Sequence, residues 1–158
     1  MMPTPVSTVD ARYRGAAGAY LVYGVVYLVG GLYLISQGVG VAGARTEAAT
    51  TEATVRWGLI GLVPLVVIPL LFWRSWSFFG GWISRRGFAG LVALFLIARS
   101  YRVGEVAVRG GGAVPAPWGG DLGFQAGAVV FLAFTLAALA FLLRAILTPH
   151  PRIRDTRT

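Results

Sequence analysis

The chain contains no cysteine, one histidine and six acidic residues among its 158 residues, and all 14 of its basic residues are arginine. The absence of cysteine excludes disulfides, thiolate catalysis, iron–sulfur clusters and cysteine-ligated zinc. The single histidine, His150, lies between two prolines beyond the last apolar segment, so no histidine within an apolar segment can hold a haem, a chlorophyll or a metal. The sequence therefore predicts no catalytic residue, no metal site and no histidine-ligated cofactor.

Charge is scarce as well. Charged residues make up 13% of the chain and hydrophobic residues 56%, with a mean hydropathy of +0.71, whereas a soluble domain carries about 25% charged residues. A hydrocarbon core of about 30 Å needs about 20 apolar residues in helical form. Three runs carry no charge at all and approach or exceed that length: 15–44 (30 residues), 57–73 (17 residues) and 122–143 (22 residues). A fourth run, 87–108, is apolar in its first half only.

These runs predict an all-α integral membrane protein, a four-transmembrane-helix bundle that occupies the whole chain, 1–158, as one domain. The predicted spans are 15–41, 57–76, 87–108 and 122–144, with short polar tails at both ends. Pro64 and Pro69 fall inside the second span and predict a kink there. The glycine- and proline-rich stretch 110–120 between the last two spans is expected to be irregular.

The distribution of arginine predicts the topology. Nine arginines fall in the two tails and the middle connector, and five fall in or near the other two connectors. Because arginine-rich segments stay on the cytoplasmic side, both termini are expected to be cytoplasmic, in the inner membrane of a prokaryote. Because the arginines flank the apolar runs, the net charge of +8 is accounted for by membrane topology, and nucleic acid is not predicted as a partner.

The first span carries tyrosines and glycines on one side of the predicted helix. The face consists of Tyr20, Tyr23, Tyr27, Gly24, Gly30 and Gly31. Aromatic rings pack well and glycine lets backbones approach closely in lipid, which favours a helix-packing or partner-binding face. Contact with a bound lipid, quinone or pigment, without a histidine ligand, is the other interpretation of this face.

The third span carries the charges that could have a function. Arg99, Arg102, Glu105 and Arg109 follow one another at intervals of three or four residues, so they share a helix face, and Arg102 can pair with Glu105. Three interpretations remain open. The span ends near Ser100 and the arginines meet outer headgroups; the stripe contacts a partner subunit or lipid phosphates; or Arg99 and Arg102 bind or conduct an anion.

Four tryptophans are predicted to anchor the chain at the membrane interfaces. Trp73, Trp76 and Trp82 lie in or beside the basic connector between the second and third spans, and Trp118 lies in the last connector.

Because ligand-capable residues are missing from the spans, we expect a non-catalytic accessory subunit of a larger membrane complex. Its partners would be membrane lipids and other membrane subunits, and a respiratory or photosynthetic complex is the context suggested by analogy. The alternative is a small oligomeric channel or transporter for an anionic solute that uses Arg99 and Arg102. An enzyme ranks third, because the spans lack paired carboxylates or other acid–base groups.

Overall fold

A computed structural model describes residues 5–39, 50–73 and 83–148. These residues form four helices and one short hairpin, which confirms the predicted all-α class. The elements in chain order are α1 (Pro5–Ser36), α2 (Thr51–Trp73), α3 (Arg85–Arg109), β1 (Ala113–Pro115), β2 (Asp121–Gly123) and α4 (Phe124–Leu147). Three of the helices, α1, α2 and α4, are long and apolar enough to cross a membrane.

Helix α3 differs from the other three in composition rather than in length. Its 25 residues correspond to about 37 Å of helix, enough for a hydrocarbon core. It carries six charged residues, however, and it is not among the helices that are apolar enough to cross by composition. The fold therefore contains three candidate spans and a fourth helix of spanning length.

Each of the first three helices begins at a residue suited to that position. Proline at the first position of α1 loses no helical hydrogen bond. The Thr50 hydroxyl accepts a hydrogen bond from the Ala53 amide at 3.3 Å, and the Ser84 hydroxyl accepts one from the Gly87 amide at 3.0 Å. Helices α1 and α2 thus begin ten and six residues before the predicted spans, because hydropathy marks the apolar part of a helix and not its first turn.

Helix α1 ends in a Schellman motif. Gly38 takes a left-handed φ of 68°, its amide donates to the Ile35 carbonyl at 3.1 Å, and the Val39 amide donates to the Leu34 carbonyl at 2.9 Å. Val39 is buried beside it. This motif satisfies the last carbonyls of α1 and fixes the end of the helix at Ser36, five residues before the predicted end of the span.

The buried residues of three helices recur at intervals of three and four, so each helix presents one stripe to the core. The stripes are Tyr13, Ala16, Ala17, Tyr20 and Tyr23 on α1; Ala89, Val92, Ala93 and Leu96 on α3; and Thr135, Ala138, Leu142 and Ala145 on α4. Alanine dominates the stripes, which lets the helices approach closely. Helix α2 contributes only Pro69 and Phe72 to the buried set.

The stretch between α3 and α4 contains a β-hairpin, and the prediction of an irregular segment is wrong for these residues. Val114 pairs with Leu122, and the turn between the strands passes through Gly119 and Gly120, both with positive φ. Glycine makes this turn without a steric cost. The Tyr33 hydroxyl donates to the Pro115 carbonyl at 2.6 Å and ties the hairpin to the end of α1.

The four helices do not surround a closed core. Helix α3 packs along α4, and α1 packs along both α4 and α2, whereas α2 and α3 barely touch. The start of α1, the end of α2 and the start of α3 meet at one end, where Asp10, Phe72 and Arg85 are in contact. The gap between α2 and α3 leaves a lateral opening, which we call the α2–α3 cleft.

Candidate functional site

Arg99 lies against aromatic rings from two other helices. Its guanidinium carbon is 4.5 Å from the ring centroid of Tyr27 on α1 and 5.8 Å from that of Phe131 on α4, and it also interacts with the Tyr23 hydroxyl. We call these four residues the Arg99 cluster. A cation–π contact contributes about 0.5–1 kcal/mol at an exposed site and about 2 kcal/mol when it is desolvated. The two rings therefore stabilise the guanidinium where α1, α3 and α4 meet.

The tyrosine face of α1 turns inward rather than outward. Tyr20 and Tyr23 are 5% and 3% exposed, whereas Tyr27 is exposed at 43%. The rings of Tyr20 and Tyr23 are 5.6 Å apart, those of Tyr23 and Tyr27 are stacked at 6.3 Å, and Phe131 lies within 5.7 Å of both of the latter. The face is thus an intramolecular packing surface over Tyr20, Tyr23 and Gly24. Tyr23 and Tyr27 contact Arg99.

The hydrogen bonding of Arg99 is incomplete. Its Nε atom is buried and has no hydrogen-bond partner. Within residues 5–39, 50–73 and 83–148, no carboxylate lies within ion-pair distance of its guanidinium. Arginine has five N–H donors around the edge of its plane, and ring faces do not serve as ordinary acceptors for them. The cluster therefore holds a cation whose edge donors are only partly satisfied.

The rest of the predicted stripe on α3 has a different environment. Arg102, Glu105 and Arg109 are all exposed. Glu105 pairs with Arg109 at 3.3 Å, four residues on, rather than with Arg102 as the spacing had allowed. The structure therefore does not bring Arg99 and Arg102 to a common surface: one enters the bundle, and the other stays outside near the end of α3.

The α2–α3 cleft has a volume of about 390 Å³ and begins one helical turn from Arg99. Phe95, four residues before Arg99 on α3, lines it, and so do Tyr23 and Tyr27 of the Arg99 cluster. Pro64 lines the opposite wall on α2. Because proline lacks an amide hydrogen, the carbonyl of Ile60, four residues earlier, has no helical hydrogen-bond donor. The cleft is thus an apolar space, and Arg99 lies outside its lining, one helical turn beyond Phe95.

The glycines of α1 have two different roles. A Cβ at Gly24 would collide with Cδ1 of Leu65 on α2, so the space beside this glycine is occupied by a side chain of the same protein. In the opposite direction, Gly61 on α2 faces Leu28 on α1. Gly30 and Gly31, in contrast, have open space around them. Gly24 therefore belongs to the α1–α2 interface, and the other two members of the predicted glycine set are available to an external neighbour.

A second polar cluster, which the sequence analysis did not identify, lies at the end where α1 begins. Arg85 donates to Asp10 Oδ1 at 2.7 Å, lies 4.1 Å over the Tyr13 ring, and donates to the Phe72 carbonyl in the last turn of α2. We call these residues the Arg85 cluster. An arginine at a helix C-terminus also complements the negative end of the helix dipole. The Arg85 cluster therefore joins α1, α2 and α3 through one side chain.

Two of the four tryptophans predicted as anchors, Trp73 and Trp118, lie within the described residues, at opposite ends of the bundle. Trp73 is the last residue of α2, and the Arg14 guanidinium carbon lies 5.9 Å from its ring centroid. Trp118 is exposed at the tip of the hairpin. Trp76 and Trp82 lie outside the described residues. That Trp73 and Trp118 anchor the chain at the two membrane interfaces stays a prediction.

No group of three or more histidine, cysteine, aspartate or glutamate side chains among the described residues is placed to hold a metal ion. The polar chemistry in the described part of the chain is concentrated in the two arginine clusters and the ends of the helices. These features define a helical protein with three helices that can cross a membrane. Comparison of the chain with protein-family models, curated proteins and solved structures finds no match.

Proposed function

We propose that the chain is a four-span subunit of the inner membrane of a prokaryote, with both termini cytoplasmic. The length of α3 and its packing along α4 support a fourth span, because the packed partner, α4, is itself long and apolar enough to cross. The Arg85 cluster lies at the end of the bundle where α1 begins, which is the end expected to face the cytoplasm by the excess of arginine.

Single cysteines test this topology cleanly, because the chain has none of its own. A cysteine in place of Pro117, at the hairpin tip, is expected to react with an impermeant thiol reagent on intact cells. A cysteine in place of Thr148, at the end of α4, is expected to react only after the cells are permeabilised. Labelling of both positions from the same side would contradict the proposed arrangement.

The proposed role is non-catalytic: an accessory subunit of a larger membrane complex. The observation that carries this proposal is the α2–α3 cleft. In lipid, helices associate through close packing, and a gap between two helices of one bundle forfeits those contacts. Helix α2 packs along α1 and meets α3 chiefly at its last turn, and its other side offers a long apolar surface beside the cleft. A helix from another subunit seated there would complete the packing.

Purification from the native membrane in mild detergent, followed by mass spectrometry, tests the role. We expect the full-length protein to elute with other membrane proteins in fixed ratio, at a size well above 16.8 kDa plus its detergent. The control is the same preparation after a harsher detergent, which should release the chain alone. Elution as a lone monomer under the mildest conditions would refute the subunit role.

A further inference from the structure

Arg14 lies at the end of the bundle where α1 begins, and its side chain is open to an external ligand. It is exposed, and its guanidinium carbon lies 5.9 Å from the ring centroid of Trp73. Within the described part of the chain, neither a carboxylate nor another hydrogen-bond acceptor pairs with the guanidinium. Asp10, one turn earlier on α1, is already paired with Arg85. Because an aromatic ring does not satisfy the N–H donors at the edge of a guanidinium, Arg14 can bind an anion from outside the chain.

An apolar groove lies between α1 and α2 and begins beside Arg14. Its volume is about 330 Å³, and its walls include Leu21 and Val25 of α1 and Leu70 and Trp73 of α2. Trp73 thus lines the groove and also contacts Arg14. Residues at intervals of seven and four share a helix face, so Arg14, Leu21 and Val25 lie on the same side of α1. The groove, which we call the α1–α2 groove, therefore ends beside an exposed cation.

Gly18 keeps the path from Arg14 into the groove open. It lies one turn beyond Arg14, it is exposed, and no atom of another described helix lies within 4 Å of the position that a Cβ would take. Val25 lies eleven residues beyond Arg14, which corresponds to about 16 Å along the helix. Half of a hydrocarbon core of about 30 Å is about 15 Å. The distance from the cation to the far end of the groove therefore matches the depth of one lipid leaflet.

The charges at this end of the bundle favour an anionic ligand. The starts of α1 and α3 and the ends of α2 and α4 meet here. Among the described residues, this end carries five arginines and one acidic residue: Arg12, Arg14, Arg85, Arg86, Arg144 and Asp10. The opposite end carries three of each: Arg56, Arg102, Arg109, Glu52, Glu105 and Asp121. Because the Asp10 carboxylate is already paired, the ammonium of a zwitterionic headgroup would find no free carboxylate among these residues, whereas a headgroup with net negative charge is attracted.

From the open cation, the depth of the groove and the charge at this end, we propose that the protein binds one anionic phospholipid at a fixed position. The lipid phosphate accepts N–H bonds from Arg14, and one acyl chain lies in the α1–α2 groove, with Trp73 at the level of the headgroup. The site rests on the membrane location of α1 and α2 and not on the subunit role. The groove and the α2–α3 cleft lie on opposite sides of the contact between Gly24 and Leu65, so a lipid and a partner helix would not compete.

A photo-reactive benzoylphenylalanine in place of Leu21, in the full-length protein, tests the position of the lipid. In vesicles of one part phosphatidylglycerol and nine parts phosphatidylethanolamine, we expect phosphatidylglycerol to exceed its share of the lipid adducts several-fold. The matched control is the same probe in place of Leu136, which is exposed on α4 eight residues before Arg144 and lies outside the groove. Its adducts should follow the bulk composition. In the native membrane, a Leu21 adduct with another protein in place of lipid would overturn the inference.

Titration of the purified protein with lipid, followed by native mass spectrometry, tests the role of the charge. We expect the wild type to bind one phosphatidylglycerol at least about tenfold more tightly than phosphatidylethanolamine with the same acyl chains. Arg14→Gln should remove this preference, because the neutral amide loses the charge-assisted bonds to the phosphate, whereas Arg14→Lys should keep most of it. Arg144→Gln removes the same charge from an exposed position at the same end and should bind lipid like the wild type.

Gly18→Leu tests the groove without changing the cation. The new side chain enters the open space between Arg14 and Leu21 and should weaken phosphatidylglycerol binding about tenfold, whereas Gly30→Leu, at another open glycine of α1, should leave it unchanged. Circular dichroism shows which variants are folded. Equal affinity of the wild type for the two lipids, or a folded Arg14→Gln or Gly18→Leu variant with wild-type affinity, would refute the lipid site. Because the purified chain is titrated alone, these results do not depend on whether the subunit role holds.

Discussion

Replacement of Arg85 should destabilise the contacts that hold α1, α2 and α3 together at one end of the bundle. Arg85→Gln removes three contacts at once. The Arg85 side chain is 14% exposed and the Asp10 side chain 38% exposed, and at this partial exposure their ion pair contributes about 1 kcal/mol. The stacking on Tyr13 contributes about 1 kcal/mol, and the hydrogen bond from a charged donor to the Phe72 carbonyl contributes about 1.5 kcal/mol.

The three contributions set an upper limit of about 3.5 kcal/mol on the loss in the free energy of unfolding. Because contacts that share one side chain are not additive, we expect about 3 kcal/mol. For a chain of this size each kcal/mol lowers the melting temperature by about 2–4 °C, so Arg85→Gln should melt about 6–12 °C below the wild type. The assay is thermal unfolding of the full-length protein in mild detergent, followed by circular dichroism. Arg144→Gln, on the exposed side of α4, is the control and should shift the midpoint by less than 2 °C.

A double-mutant cycle makes the test specific. Asp10→Asn alone should cost about 1 kcal/mol, because the amide keeps an acceptor but loses the charge. In the Arg85→Gln background the same change should cost almost nothing, since the partner of Asp10 is already gone. Equal costs in both backgrounds, or an Arg85→Gln midpoint no lower than that of the control, would show that the cluster does not hold the three helices together.

Two further predictions concern the helix interfaces. Gly24→Ala should be about 1 kcal/mol less stable than Gly30→Ala, because Leu65 must leave its rotamer to admit the new methyl group. Both changes gain the same helix propensity, and Gly30 has open space for the methyl group. A thermal melt compares the two variants, and equal shifts would contradict the packing described for α1 and α2. Leu91→Trp, at a 57% exposed position that lines the cleft, should reduce co-purified partner about tenfold. Leu94→Trp, at a 64% exposed position outside the cleft lining, should leave the yield unchanged, and a loss in both variants would refute the cleft as the docking position.

Much of the helical content could be predicted from hydropathy alone, because long uncharged runs have few alternatives in a chain with so little charge. The helix ends could not be predicted in this way. The apolar run begins at Gly15, whereas the helix begins ten residues earlier, at Pro5, and includes polar residues. The hairpin was missed for a different reason. Its signal was present in the adjacent glycines Gly119 and Gly120 between Val114 and Leu122, but glycine and proline in number predict irregularity when turn type is ignored.

The candidate site was predictable only in part. The helical period places Arg99 and Arg102 on one face, and no local pattern tells which of two neighbouring arginines enters the bundle; that is decided by Tyr27 and Phe131, which come from elsewhere in the chain. The pairing of Asp10 with Arg85 joins residues 75 positions apart and left no local signal. Both clusters are products of tertiary packing between helices, which one-dimensional periodicity does not encode.

The long sequence separation within the Arg85 cluster also sets an order of events during biosynthesis. Asp10 emerges from the ribosome 75 residues before Arg85, and at about 5–20 residues per second this is a delay of about 4–15 s. Helix α2 ends at Trp73, only 12 residues before Arg85, so both α1 and α2 are complete when Arg85 emerges. Until Arg85 is made, α1 and α2 lack the Arg85 contacts with Asp10 and with the Phe72 carbonyl that join them to α3.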